Sequence, residues 1–211
     1  MPGGYKTLYE FQGSPDGKTP SGPLAAIDGK LYGTTAAGGH ADNVCGEGCG
    51  TVFSITASGI ERTLYSFSRY QGGGSSPLGG VTLWKGLLYG TTVSGGDPGY
   101  GTAFKSTKDG RVSTIYNFGG GGRARTGWYP EAPLIAVGGA LYGSDDYGGG
   151  PGTAFELALG RSVTGKALYH FNGRSYGGKP VAAMAYVNGK LYGTLPEGGA
   201  NDDGVAFSLS P

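Results

Sequence analysis

The sequence predicts an all-β chain, a four-bladed β-propeller of four-stranded antiparallel blades. Three observations predict it. One block recurs four times in a fixed internal order, and its segments carry strand periodicity joined by hairpin turns. Its Gly-x-x-Phe phrases end at Phe53, Phe104, Phe155 and Phe207, spaced 51, 51 and 52 residues apart, which is the period of a propeller blade.

The block opens on a small apolar segment after a proline: Pro23-Leu-Ala-Ala-Ile27, Pro77-Leu-Gly-Gly-Val81, Pro133-Leu-Ile-Ala-Val137 and Pro180-Val-Ala-Ala-Met184. Ala and Gly suit strands crowded around the axis of a narrow ring. Asp28-Gly29, Lys85-Gly86, Gly138-Gly139 and Asn188-Gly189 then offer the positive φ values of a two-residue hairpin, Lys85-Gly86 being the weak match. A Leu-Tyr-Gly strand follows at Leu31-Tyr32-Gly33, Leu88-Tyr89-Gly90, Leu141-Tyr142-Gly143 and Leu191-Tyr192-Gly193, and after it the Gly-x-x-Phe strand. Last comes an aliphatic-Tyr-x-Phe strand, at Leu64-Tyr65-Ser66-Phe67, Ile115-Tyr116-Asn117-Phe118 and Leu168-Tyr169-His170-Phe171. Its fourth copy, Leu8-Tyr9-Glu10-Phe11, lies at the N-terminal end.

That orphan strand completes the last blade if it returns to close the ring, which removes an exposed sheet edge. The chain is then one domain, 1–211, with blades at about 20–67, 76–118, 130–171 and 180–209 plus 5–11. The structural alternative is half of an eight-bladed homodimeric ring, so the chain is expected as a monomer or a homodimer.

The combined phrase Leu-Tyr-Gly-Thr-Thr-x-x-Gly-Gly, Gly-Thr-Val-Phe, Leu-Tyr-Ser-Phe resembles the GloVer tandem-repeat family of bacterial proteins. Copies one and two match best. Copy three departs at Ser144-Asp145-Asp146 and copy four at Leu195-Pro196. The resemblance covers essentially the whole chain and implies a bacterial, frequently exported protein, extracellular or periplasmic. It implies no particular activity.

Composition narrows the function classes. Among 211 residues there are 47 glycines and 12 prolines, a share usual for low complexity. Aromatics at 12% and a net charge of +1 argue for a packed chain instead. No apolar run is long enough to span a membrane, and no signal peptide opens the sequence. Balanced charge gives no electrostatic footprint for nucleic acid.

The repeat register separates scaffold from site. All eight phenylalanines and eight of the fifteen tyrosines occupy repeat positions and read as packing between blades. The remaining aromatics concentrate in two kinds of loop. Blade-to-blade loops carry Tyr70, Trp128, Tyr129 and Tyr176, with Arg69, Arg123, Arg125 and Arg174; loops inside blades carry Tyr100 and Tyr147, with Asp145 and Asp146. In an up-and-down blade both kinds open on one side, and only tight hairpins occupy the other. Flat aromatics, guanidinium forks and carboxylates together suit a polyhydroxylated ligand. Solvation of Gly-rich loops is the plainer explanation. The binding centre is expected around Trp128, Tyr129 and Glu131, flanked by Arg123 and Arg125 and by Asp145 and Asp146.

Glu131, Asp145 and Asp146 are the only carboxylates grouped in a way that suits catalysis, since a glycosidase needs two with unequal pKa values. Asn201-Asp202-Asp203 and Asp145-Asp146 are oxygen-rich enough for calcium, yet neither has a calcium-loop spacing, so no cofactor or metal is expected. Cys45 and Cys49 read as a disulfide stapling an exposed loop, with a free thiol pair or a metal as alternatives. His170 reads as a structural histidine within its strand. The leading functional expectation is a non-catalytic module binding a glycan or small polar ligand on the long-loop face. The alternatives are a carboxylate-dependent glycosidase or lyase at the same face, and a protein–protein assembly module.

Overall fold

Each repeat folds into one small antiparallel sheet, in a computed structural model that describes every residue except 1–3, 42, 71–72, 120–125, 147–149 and 174–177. The first repeat forms β1 (Gly17–Ile27), β2 (Lys30–Gly38), β3 (Thr51–Thr56) and β4 (Glu61–Ser66), paired in that order. The second contains β5 (Gly74–Ser75), β6 (Thr82–Trp84), β7 (Leu87–Thr92), β8 (Ser94–Gly95), β9 (Thr102–Ser106) and β10 (Val112–Asn117). Its main sheet runs β6-β7-β9-β10, and β5 pairs with β8 beside it. The third has β11 (Ile135–Val137), β12 (Ala140–Asp145), β13 (Thr153–Ala158) and β14 (Thr164–His170), and the fourth β15 (Ala185–Val187), β16 (Lys190–Leu195) and β17 (Val205–Leu209). The fold is all-β, as the periodicity predicts.

The turn chemistry acts as expected, and at Lys85 better than expected. Asp28, Lys85, Gly138 and Asn188 all take φ between 47° and 58°, and each is followed by a glycine also at positive φ. Lysine tolerates the left-handed region here because the glycine behind it and the pairing of β6 with β7 over-determine the turn.

The glycine of each Leu-Tyr-Gly strand has a packing cause. Gly33, Gly90, Gly143 and Gly193 stand directly opposite Phe53, Phe104, Phe155 and Phe207 on the neighbouring strand. The phenyl ring lies across the glycine, so a Cβ on Gly90 would stand 2.6 Å from the Phe104 ring. Phe104, Phe118 and Phe155 are among the largest fully buried side chains. The repeat phenylalanines of the second and third sheets are therefore core.

Sheets join to one another through one repeated contact set. The Phe closing one sheet meets the Phe of the next sheet's third strand, edge-on or tilted: Phe67 on Phe104, Phe118 on Phe155 and Phe171 on Phe207, at 5.0–5.1 Å. A second-strand hydroxyl donates to a proline carbonyl of the next repeat, Thr34 to Pro77 (2.7 Å), Thr91 to Pro130 (3.2 Å) and Ser144 to Pro180 (2.7 Å). Gly50, Gly101 and Gly152 lie against the same three proline rings. Before each repeat proline the chain enters the left-handed region, at Thr19, Ser76, Tyr129 and Lys179, with φ of 56–59°.

These contacts correct the first-strand alignment. The equivalent prolines are Pro20, Pro77, Pro130 and Pro180, not Pro23 and Pro133. The hairpin turn fixes the register, and each of these prolines stands eight residues before the turn's first residue. Pro23 and Pro133 are extra prolines within their own copies. The short strands β6, β11 and β15 begin five residues beyond the true repeat proline.

The two ends of the array differ from its interior. Among the described residues the fourth sheet has three strands, with no partner on the outer side of β17. The described part of the N-terminal segment, residues 4–16, is not part of any sheet. Phe11 nevertheless lies 5.0 Å from Phe53, edge-on, and Tyr9 sits 5.2 Å from Phe11 just as Tyr65 does from Phe67.

Candidate functional site

The structure brings the two kinds of loop together on one side, as the strand order requires. The Tyr129 amide donates to the Tyr100 carbonyl at 2.9 Å, and the Ser76 and Lys179 amides do the same to Cys49 and Pro151. On the opposite side the hairpins of neighbouring sheets meet, where Lys108 pairs with Asp28 at 2.5 Å.

The most built part of the loop side lies between the second and third sheets. Trp128 stacks on Tyr100 with ring centroids 4.5 Å apart and planes 12° from parallel. Tyr129 meets Tyr100 edge-on at 5.9 Å. Gly119 passes close beneath both Tyr100 and Trp128, leaving no room for a side chain. Trp128 and Tyr129 are half-buried. Tyr100 is thus the partner that organises this cluster, although it belongs to the preceding repeat. A loop aromatic one repeat upstream of Trp128 is the signal that points to it.

The acidic residues divide. Asp145 ends β12 and pairs in register with Thr153, taking the position held by Thr35 and Thr92 in earlier copies. It is fully buried, and Gly127 lies directly over its carboxylate as Gly17 and Gly74 lie over the two threonines. A ligand arriving from the loop side therefore meets Gly127 before Asp145. Glu131 and Asp146 are only partly buried. Burial raises the Glu131 carboxyl above the ordinary glutamate range, and the charge on Asp146 raises it further. Glu131 and Asp146 are thus close enough to influence each other's charge, while Asp145 is buried beneath Gly127.

Other expected residues lie apart. Arg69 and Tyr70 are exposed in the loop between the first and second sheets, one junction away from Trp128. Arg123, Arg125, Tyr147, Arg174 and Tyr176 lie outside the described residues. Part of the charge sorted by loop type is used within the protein: Lys18 pairs with Glu47 at 2.7 Å and Lys179 with Glu197 at 2.8 Å. Those exposed pairs serve solvation more than recognition.

Cys45, Cys49, His170 and Asp202 each have a partner within the protein. Cys45 and Cys49 form a disulfide in the longest loop of the first sheet. His170 Nδ1 shares a hydrogen bond with Thr153 Oγ1 at 3.1 Å, a structural role. Asp202 accepts from the Gly198 amide at 2.7 Å and so holds its own loop. No group of three metal-binding side chains occurs among the described residues. Sequence reasoning missed a cleft of about 470 Å³ on the hairpin side, where Lys30, Arg62 and Lys108 stand among Asp28 and Asp109. Its cations come from different strands and turns, so no linear spacing announces them.

Fold and repeat architecture define an all-β, propeller-like tandem-repeat protein. The chain belongs to the Gloeobacter/Verrucomicrobia repeat family, whose description matches residues 45–211. No match is found among curated proteins. Among solved structures it is similar to an alpha-L-arabinanase from Penicillium chrysogenum complexed with arabinobiose, at 16% identity over 83% of this chain and 56% of that one, with a TM-score of 0.51. It is also similar to a mutant GH32 beta-fructofuranosidase from Bombyx mori in complex with sucrose, at 15% identity over 89% and 46%, with a TM-score of 0.50. The chain spans about half the length of these enzymes.

Proposed function

We propose that this protein is a non-catalytic binding module for a glycan or small polar ligand, with each of its four main sheets serving as a propeller blade. On this reading a strand of the residue 8–11 type completes the last blade, and the ligand sits on the long-loop side between the second and third sheets. The observation that carries the reading is the Tyr100–Trp128 stack standing beside Glu131 and Asp146. An aromatic plane receives the apolar face of a sugar, and carboxylates accept from its hydroxyls. The two similar enzymes, solved with arabinobiose and sucrose, support a carbohydrate as the ligand class. The Cys45–Cys49 disulfide supports an exported protein in an oxidising compartment.

A glycan array followed by calorimetry on any hit tests this. Trp128→Ala is expected to weaken binding about tenfold, the on-the-order-of 1 kcal/mol that one stacked ring contributes. A sugar bound equally well by Trp128→Ala and Asp146→Asn would move the site elsewhere.

A second reading, a glycosidase or lyase, draws on the raised Glu131 carboxyl beside Asp146, since unequal protonation of two acids is what such chemistry requires. Turnover of the bound sugar, lost by orders of magnitude in Glu131→Gln, would establish it. Binding without turnover supports the module.

A further inference from the structure

Among the described residues, the first and last sheets carry unjoined the two halves of a contact made three times between neighbouring sheets. At each internal junction the repeat proline is buried and a second-strand hydroxyl is buried against it: Pro77 with Thr34, Pro130 with Thr91, Pro180 with Ser144. The corresponding residues at the ends are Thr194, in the last sheet, and Pro20, in the first. Both are exposed. Tyr192 is 42% exposed where Tyr32, Tyr89 and Tyr142 are 4–7% exposed. Gly204, the counterpart of Gly50, Gly101 and Gly152, is approached by its own loop at Leu195 and Pro196 instead of by a proline of another repeat.

The aromatic part of the junction is likewise divided. Phe11 already occupies, on Phe53, the place that Phe67 takes on Phe104. Gly59 lies under the Leu8 carbonyl as Gly110 lies under that of Leu64. Residues 8–11 therefore stand where the closing strand of a preceding sheet stands, on the first sheet of their own chain. Among the described residues the sheet without such a strand is the fourth, at the outer side of β17. Beside residues 8–11, along the first sheet, opens a cleft of about 370 Å³ lined by Leu8, Phe11, Leu24, Leu31, Phe53 and Ile55.

We propose that the missing junction forms between two copies of this chain. The last sheet of one copy docks head-to-tail on the first sheet of the other, β17 pairs with the partner's residues 8–11, and Thr194 donates to the partner's Pro20. The same contact in return closes a two-fold ring of eight sheets, so that neither end remains open. The internal register also sets charge. At each junction the residue before the proline donates its amide to the residue before the Gly-x-x-Phe glycine, which pairs Thr19 with Asp203. Lys18, which pairs with Glu47 in its own chain, then also lies beside the acidic Asp202-Asp203 pair. Within one chain Thr194 and Pro20 are both exposed, so closure of one chain on itself would instead require its packed junctions to shift. Gly22 already abuts the Gly79–Gly80 backbone, and Gly79 that of Ala132, so the inner strands cannot move closer. A second copy requires no such change.

Sedimentation and light scattering on the unaltered protein are expected to give twice the 21.3 kDa chain mass. Thr194→Glu, a charge placed on an exposed position, is expected to raise the dimer dissociation constant at least tenfold with unchanged melting of the dissociated chain. A double variant, Thr19→Cys with Asp203→Cys, reads the geometry directly. Oxidation is expected to yield a dimer-sized band on a non-reducing gel that reverts on reduction. A bridge formed within one chain, a protein that stays monomeric without any bridge, or a ladder of larger assemblies would each overturn the two-copy ring.

Discussion

Glu131 shows how much a single carboxyl can report. Burial and the neighbouring Asp146 charge both favour its protonated form, so the folded protein holds this proton more tightly than the unfolded chain does. Its contribution to stability is therefore full below the ordinary glutamate value of 4.5 and is lost as pH rises through the raised value. Glu131→Gln removes that loss. The melting temperature of the variant relative to the parent is expected to climb from about pH 4 to about pH 7, and a flat difference would place Glu131 in open solvent. At this scale the sequence was only partly legible. The break from Gly-Thr-Thr at Asp145 and Asp146 was visible as text, but not that Asp145 would inherit a threonine's buried position beneath Gly127. Depth depends on the pleat and on a glycine from another loop, and neither can be read from composition. Trp128 posed a similar difficulty, since its stacking partner Tyr100 comes from the previous repeat.

The strands were the most legible elements because three constraints agree on each of them: alternation, turn chemistry at both ends, and a facing glycine. Gly90 is opposite Phe104 because the ring needs the space that a Cβ would fill. Phe104→Ala is expected to cost roughly 3–5 kcal/mol, the usual loss for an emptied aromatic core position. Tyr70→Ala, at an exposed loop position, should stay within about 0.5 kcal/mol. Chemical denaturation of the two variants distinguishes them, and equal losses would mean that the division between core and loop is misdrawn. The first strand was the least legible element. Copies one and three each carry a second proline three residues after the repeat proline, and a proline-anchored alignment locks onto the wrong one. The left-handed residue before Pro20, Pro77, Pro130 and Pro180 marks the correct one, but Thr, Ser, Tyr and Lys share no side-chain character that announces it.

At the scale of the whole molecule, the order of the sheets followed from the repeat count, whereas the meeting of its ends did not. The orphan strand was identifiable by its Leu-Tyr-x-Phe phrase, and Phe11 takes the anticipated aromatic position. Which sheet edge it completes depends on the angle between neighbouring sheets, a property of packing that no linear pattern records. Deleting residues 1–11 uncovers Phe53 and Ile55, which line the cleft with Leu8 and Phe11. Calorimetry is expected to show a broadened, lower transition accompanied by aggregation. An unchanged, sharp transition would show that the segment is ornamental.

The couplings between sheets have a consequence for how such a chain can grow. Each is assembled from the same few parts, a proline ring, a glycine, a hydroxyl and two phenylalanines, and the loop residues that differ among repeats contribute none of them. A stretch of gene running from one left-handed–proline step to the next therefore encodes a part with matching fittings at both ends. Duplicating or excising that stretch lengthens or shortens the protein by one whole sheet, with every fitting still engaged. A cut made anywhere else would strand half a fitting in solvent. Loops can diversify within each unit without disturbing the joints, so new surfaces and new lengths are open to such a gene independently of each other.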